Sequence, residues 1–137
     1  PFIIADVMES RDYHHIKLLA CQITSGLNME SQVILEVEID GCSHKSEGCG
    51  NGGFDAFVRA INSVLVKENY SLPKLVNYEV KIPKGGETNA LTECSITWQA
   101  DGKNIKTRGI HSNQVFAAIL AALRVVNLQL HEQRVGC

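Results

Sequence analysis

Two Asp-Gly pairs, Asp40-Gly41 and Asp101-Gly102, stand 61 residues apart (101 minus 40), and the same offset aligns much of what surrounds them. It carries Lys45 onto Lys106, Ser46 onto Thr107, Gly48 onto Gly109, Ala56 onto Ala117 and Ala60 onto Ala121. Matches held in register over this length mark an internal repeat. A repeat restricts the fold more than a single motif does, because each copy must form the same unit and bury its apolar face.

Each copy reads as three strands and a helix. In the first, His15 to Thr24 mixes β-branched and apolar residues as a strand does, and Gly26 and Asn28 mark a loop. Gln32 to Ile39 (QVILEVEI) then runs to Asp40-Gly41, a dipeptide favoured in two-residue type I′ hairpins, so Cys42 to Gly48 is the returning strand. Phe54, Phe57, Val58, Ile61, Val64 and Leu65 recur at three- and four-residue intervals, which predicts an amphipathic helix ending near Asn69, before Ser71 and Pro73. In the second copy the strands are Leu75 to Pro83, Ala90 to Ala100 and Asn104 to Gly109, with a Gly-containing loop from Lys84 to Asn89. A helix rich in alanine and leucine follows from Ser112 to Leu128.

This order predicts an α+β fold of two repeated βββα units, about residues 13–70 and 74–128 of a domain spanning 13–137. Half-apolar antiparallel strands with one helix per unit pack most economically with the helices on one face. Ala117, Ala118, Ala121 and Ala122 make the second helix narrow enough for close approach to the first helix or to a partner chain. The Ala90 to Ala100 strand does not place a polar residue at every other position, which favours a dimer. The chain opens at Pro1 with the apolar run FIIADV, so residues 1–12 read as a linker from a preceding region of a longer polypeptide.

Bulk properties exclude several classes of function. A formal net charge of −2 and a pI near 6.2 argue against nucleic-acid or anionic-membrane surfaces, which carry a basic excess. No apolar run reaches the roughly 20 residues that span a bilayer, and the expectation is a cytoplasmic protein. Five irregularly spaced cysteines favour reduced thiols over a disulfide framework. His14 and His15 point to opposite faces of a strand and cannot chelate one ion together. Cys42, His44, Cys49 and His111 lack metal-ligand spacing. Gly48, Gly50 and Gly53 satisfy G-x-G-x-x-G, but the strand before them belongs to an antiparallel hairpin, so a dinucleotide is not expected. No catalytic triad or carboxylate pair is evident, and binding is the better class of answer.

The stretch with most to offer a ligand is Lys45 to Leu65, KSEGCGNGGFDAFVRAINSVL. Gly48, Gly50, Gly52 and Gly53 permit positive φ or close approach, and they lead into a helix N-terminus whose amides suit a small anion. The alternative is a tight strand-to-helix turn and nothing more. For a free α-amino acid, helix-start amides suit the carboxylate, Asp55 the ammonium group, and Phe54, Leu75, Tyr78 and Ile82 an apolar wall. Asp55 equally serves a helix dipole by sitting in the first turn. The repeat supplies a second such helix start at His111 to Gln114.

Three runs carry a family resemblance: GNGGFDAFVRAI (Gly50 to Ile61), NYEVKIPKGGETNAL (Asn77 to Leu91) and KTRGIHSNQVFAAILAALRVVN (Lys106 to Asn127). They resemble the G-N-G-P-x-D-A, D-Y-x-V-x-x-x-x-G-x-x-A and G-x-x-x-D-x-x-x-A-S/A elements of the C-terminal regulatory domain of 2-isopropylmalate and citramalate synthases. The resemblance covers about Tyr13 to Asn127. It implies a dimeric pair of βββα units that binds the pathway end product, leucine or isoleucine, and inhibits a distant catalytic barrel of the same polypeptide. That barrel, with its divalent metal, has no counterpart in these residues, so the resemblance implies a chain that is not itself an enzyme and holds no cofactor.

By motif position the effector site implied is Gly50, Asn51, Gly53, Phe54, Asp55 and Ala56 at the first helix start. Leu75, Tyr78 and Ile82 join from the fourth strand, Ala90 and Thr92 from the fifth, and Ser112 and Gln114 from the second helix start. Gly53 stands where many members have Pro, Asn77 where Asp is usual, and Ser112 or Asn113 where an Asp often begins the second helix. The last two departures remove carboxylates and leave Asp55 as the partner for an ammonium group. The NGGFDAF and KTRGxxSxQ forms are closer to the leucine-sensing branch, and an isoleucine-sensing citramalate synthase domain is the runner-up. A purely structural dimerisation domain is the competing class.

Overall fold

The computed structural model describes residues 4–5, 15–81, 91–100 and 102–135, without the side chains of 4–5 and 133–135. In chain order the elements are β1 (Ile4–Ala5), β2 (Ile16–Thr24), β3 (Ser31–Ile39), β4 (Cys42–Gly50), α1 (Gly53–Leu65), β5 (Lys74–Lys81), β6 (Thr92–Ala100), β7 (Lys103–His111) and α2 (Gln114–Val135). They form two compact units, His14–Leu72 and Pro73–Cys137 with Pro1–Tyr13. Each is an antiparallel three-stranded βββα unit, β2-β3-β4 with α1 and β7-β6-β5 with α2; β1 adds a two-residue parallel bridge to β7. The α+β architecture with repeated units is therefore as expected.

In the first unit, Ser31, Val33, Leu35, Val37 and Ile39 form the buried face of β3, and the residues between them are exposed or half-buried. Above that face α1 buries Ala56, Phe57, Ala60, Ile61, Val64 and Leu65. Each large side chain removed from water here contributes about 1.5–3 kcal/mol. The turn after β3 has φ of 49° at Asp40 and 87° at Gly41, the two positive values a type I′ hairpin needs. The Asp40 N–H donates to the His15 carbonyl at 3.1 Å. A short 3-10 turn, Val66–Glu68, follows α1 and stops at Asn69 in the left-handed region, where the sequence places the helix end.

The offset of 61 carries β3 onto β6, β4 onto β7 and the start of α1 onto the start of α2. The residues it matched are those that hold helix to sheet. A Cβ on Gly48 would lie 2.7 Å from the Ala60 nitrogen, and one on Gly109 would lie 2.7 Å from the Ala121 nitrogen. Ser46 donates its hydroxyl to the Ala60 carbonyl at 2.8 Å, and Thr107 donates to the Ala121 carbonyl at 2.7 Å. Each helix thus crosses its sheet where a glycine lets it come close and a hydroxyl holds it there. In the second unit Trp98 Nε1 also donates to Thr107 Oγ1 at 2.9 Å, so this buried hydroxyl both accepts and donates.

The first strands follow a different offset. Leu18 pairs with Val37 and Leu75 with Trp98, and the ladder skips Leu19 in one copy and Val76 in the other. That is an offset of 57 (75 minus 18), so the loop before the middle strand is four residues longer in the second copy (61 minus 57). The matching bulges were invisible to a single-offset comparison.

Boundaries differ from expectation at several points. β4 and β7 each run two residues further than predicted, to Gly50 and His111, because ladder pairing with Ser31 and Thr92 continues to those points. α2 begins at Gln114, two residues late, and extends to Val135 rather than Leu128. Burial of Leu128 and Leu130 carries it onward. Its stretch Gln114–Glu132 is long and apolar enough to cross a membrane by length and composition, with mean hydropathy 1.3, yet 61% of that window is buried within the protein. A helix that is apolar on most sides and buried is a core helix.

Candidate functional site

The glycines at the α1 start divide into two roles. Gly48 and Gly50 lie under the helix: a Cβ on Gly50 would sit 2.8 Å from the Ala56 nitrogen and 2.9 Å from the Asp55 Cβ. Gly52 is the N-cap residue in extended conformation, φ −140°, and its carbonyl accepts from the Ala56 N–H at 3.0 Å. None of the four adopts positive φ. Close approach, not left-handed backbone, is what the glycines provide here. No side chain caps α1.

Around this start Asn51 and Asp55 are exposed, Gly53 and Phe54 half-buried, and Ala56 fully buried. The Phe54 ring lies 6.0 Å from that of Phe57, so one edge of the helix start is apolar. Asp55, in the first turn of α1, is exposed beside the helix-start amides, where a carboxylate complements the helix dipole. Ala56 lies beneath the helix against Gly48 and Gly50 and serves packing.

In the second unit the related helix start is built differently. Asn113 Oδ1 accepts from the Val115 N–H at 2.8 Å and from the Phe116 N–H at 3.2 Å, which is side-chain capping of α2. The Asn113 N–H donates to His111 Nδ1 at 2.9 Å, and the His111 ring lies 5.3 Å from that of Phe116. The start of α2 is therefore closed by its own residues, whereas that of α1 has no such side chain. The two helix starts, equivalent by sequence offset, are not equivalent in what they offer an anion.

Behind the α2 start, Tyr78 on β5 stands opposite Ile96 and on the same sheet face as Cys94. Cys94 and the Gln114 side chain lie close enough to influence its hydroxyl. Burial pushes the Tyr78 phenol up, bonding to Cys94 pushes it further, and the Gln114 amide acts in the opposite direction. Burial likewise raises the Cys94 thiol, while the Tyr78 hydroxyl works against that rise. Tyr78 and Gln114, both expected at the effector site, are thus brought together across the fold. Thr92 is half-buried opposite His111 at the end of β6, Ser112 is exposed, and Leu75 is 39% exposed next to the bulge. Ile82 and Ala90 lie outside the described residues.

Sequence reading missed Cys94 and the cap formed by Asn113. The second was legible, since Asn immediately before a helical pattern is an N-cap signal. Cys94 was legible only as an apolar position, because nothing local tells which side chain it meets on the neighbouring strand. Among the described residues no group of three His, Cys, Asp or Glu side chains gathers to hold a metal ion.

Residues 1–130 match the family model described as the LeuA allosteric (dimerisation) domain. The chain is similar to the 2-isopropylmalate synthase of Aquifex aeolicus (strain VF5), 29% identical over 125 residues covering 91% of this chain and 23% of that protein. The 2-isopropylmalate synthase of Bradyrhizobium sp. (strain ORS 278) is 29% identical over 123 residues, 89% of this chain and 22% of that protein. A Methanoculleus marisnigri protein named as an (R)-citramalate synthase is 29% identical over 131 residues, 95% of this chain and 25% of its own length. The chain spans about a quarter of the length of these relatives.

Proposed function

The chain belongs to the family of LeuA allosteric (dimerisation) domains, and on that footing we propose that it is the leucine-binding regulatory domain of a 2-isopropylmalate synthase. It gives end-product feedback inhibition of branched-chain amino-acid biosynthesis in the cytoplasm. The observation that carries this reading is the match of residues 1–130 to a domain described as allosteric, by a chain that spans only about a quarter of synthases otherwise similar to it. In this reading the chain is a homodimer, performs no catalysis itself and holds no cofactor. A catalytic barrel with its divalent metal, on the same polypeptide, carries out the condensation.

The uncapped start of α1 supports the same assignment. Gly50, Asn51 and Gly53 present backbone to the effector carboxylate, Asp55 takes its ammonium group, and Phe54 supplies apolar wall. Leu75, Tyr78, Ile82, Ala90, Thr92, Ser112 and Gln114, in the second unit, are the other proposed effector-binding residues. Since Asn113 closes α2, the second helix start contributes side chains rather than amides.

Calorimetric titration of the chain with leucine and isoleucine side by side tests the proposal. At a hundredfold excess over Kd a bound effector stabilises the fold by about 2.7 kcal/mol, which a melting experiment detects. Neither heat nor a melting shift at millimolar concentration of either amino acid would sink the proposal. Asp55→Ala weakens binding if Asp55 holds the ammonium group, and alters stability alone if the domain serves only to dimerise.

The similarity to the M. marisnigri protein favours a second reading, an isoleucine-sensing domain of a citramalate synthase. The two ligands differ in where one methyl branches, a distinction worth about 1–3 kcal/mol in an apolar pocket. Tighter binding of isoleucine in the paired titration would select it.

A further inference from the structure

The ladder between β5 and β6 fixes which way each side chain of β5 faces. Leu75 pairs with Trp98, Tyr78 with Ile96 and Val80 with Cys94, whereas Asn77 pairs with Thr97, Glu79 with Ser95 and Lys81 with Glu93. Directly opposed residues share a sheet face. Trp98 Nε1 reaches Thr107 Oγ1, whose hydroxyl in turn reaches the Ala121 carbonyl of α2. Leu75, Tyr78 and Val80 therefore stand on the α2 side of the sheet, although residues 75 and 78 are three apart and would face opposite ways in a regular strand. The bulge at Val76 takes up the extra residue and keeps Leu75 on the side of Tyr78. Their partners Cys94, Ile96 and Trp98 are buried, since α2 packs on β7 and β6. The three on β5 lie beside that contact, with Leu75 39% exposed and Tyr78 and Val80 half-buried. A largely apolar strip is thus turned to the helix side and left partly open, while Asn77, Glu79 and Lys81 carry polar groups to the other face.

We propose that Val80 is a further specificity-determining residue of the effector site, forming with Leu75 and Tyr78 a wall on β5 against which the branched aliphatic side chain of the effector packs. This rests on the effector-binding reading given above, which includes Leu75 and Tyr78 but not Val80. The register adds Val80 because it is the next residue on the face that Tyr78 occupies, about 7 Å further along the strand. A β-branched side chain is stiff at χ1, so its two methyl groups stand at fixed places. Fixed methyl groups sort ligands by the position of a methyl branch, which is where leucine and isoleucine differ. Val76 serves by its presence in the chain, since the ladder skips it and its side chain is 49% exposed.

The test is calorimetric titration of the chain, Val80→Ala, Val80→Ile and Glu79→Ala with leucine and with isoleucine. Val80→Ala removes two methyl groups from the wall, and the expected loss of affinity for the better-bound amino acid is about three- to tenfold. The ratio of the two affinities is expected to change by at least about threefold, in Val80→Ala and in Val80→Ile, which keeps the branch and adds a methyl group. That ratio is the readout a purely structural role does not move, because a variant that only loosens the sheet weakens both amino acids alike. Glu79→Ala, on the opposite face of the same strand, should keep the parent's ratio within about twofold. A ratio equal to the parent's in either Val80 variant that folds overturns the assignment of Val80 while the effector reading stands. An equally large change in Glu79→Ala overturns it as well, since the effect then does not belong to one face. A parent chain that binds neither amino acid overturns the effector reading and this proposal with it.

Discussion

Gly109→Ala adds one methyl group to the protein, and the structure sets what that costs. The new Cβ would lie 2.7 Å from the Ala121 nitrogen and 3.0 Å from the Ala117 carbonyl carbon, with the Ala117 carbonyl oxygen closer still. All three atoms are helix backbone, so no side chain can rotate aside. To restore ordinary contact α2 must retreat from β7 by about 1 Å, an overpacking that costs roughly 1–3 kcal/mol. Retreat also stretches the bond from Thr107 to the Ala121 carbonyl, now 2.7 Å, and a buried hydroxyl left without its acceptor adds about 1–2 kcal/mol. Restricting the unfolded chain returns up to about 1 kcal/mol. The net expectation is a loss of about 2–4 kcal/mol, or roughly 8–15 °C in Tm for a chain of this size. Thermal melting by circular dichroism and urea unfolding at constant m-value measure it. Gly52→Ala is the control, since its Cβ would meet nothing closer than Asp55 Oδ2 at 3.9 Å, and it should cost below about 1 kcal/mol. Gly109→Ala melting within about 2 °C of the parent would refute the claim that glycine at this crossing is required by contact.

Thr107→Val removes two bonds at once, leaving Trp98 Nε1 unsatisfied and the Ala121 carbonyl with its helical bond alone, and should cost about 2–4 kcal/mol by urea unfolding, more than Ser46→Ala, which loses one bond. Trp98 is the single tryptophan, so its emission spectrum reports the same change directly. Asn113→Ala uncaps α2 and should lower stability by about 1 kcal/mol without altering the m-value, as read from the urea midpoint. The pH dependence follows from Cys21, Cys94 and Tyr78, all raised above their ordinary values chiefly by burial. Each is an acid that the folded state keeps neutral, so its contribution is complete below the unfolded value, 9.0 for the thiols and 10.0 for the phenol, and is lost as pH climbs beyond it. The urea midpoint attributable to these groups should hold level up to about pH 8.5 and fall above it, less steeply in Cys94→Val.

Particular residues show how far the candidate site was legible. Gly50 to Asp55 announced a helix start by local chemistry alone, and a helix start is what they form. The four glycines were read for conformational freedom and close approach together, and only the packing distances from Gly48 and Gly50 separated the two. Tyr78 and Gln114 were named from different motifs, with nothing to say that the fold brings one beside the other. Asn113, seen in sequence as a missing carboxylate, proved to be the cap that makes the two helix starts unlike.

What the amino-acid sequence determined by itself is the part of the fold governed by neighbours in the chain. Strand alternation, Asp-Gly turns, helical periodicity and the offset of 61 are all short-range or self-comparing signals, and together they yield two βββα units. The meaning of the matched residues was decided only in three dimensions. Whether a glycine frees the backbone or admits a helix depends on which atoms stand opposite its missing Cβ. Whether a cysteine is filler or a partner for a phenol depends on what the adjacent strand carries in register. Both are set by pairings between residues distant in sequence, to which no local pattern is sensitive.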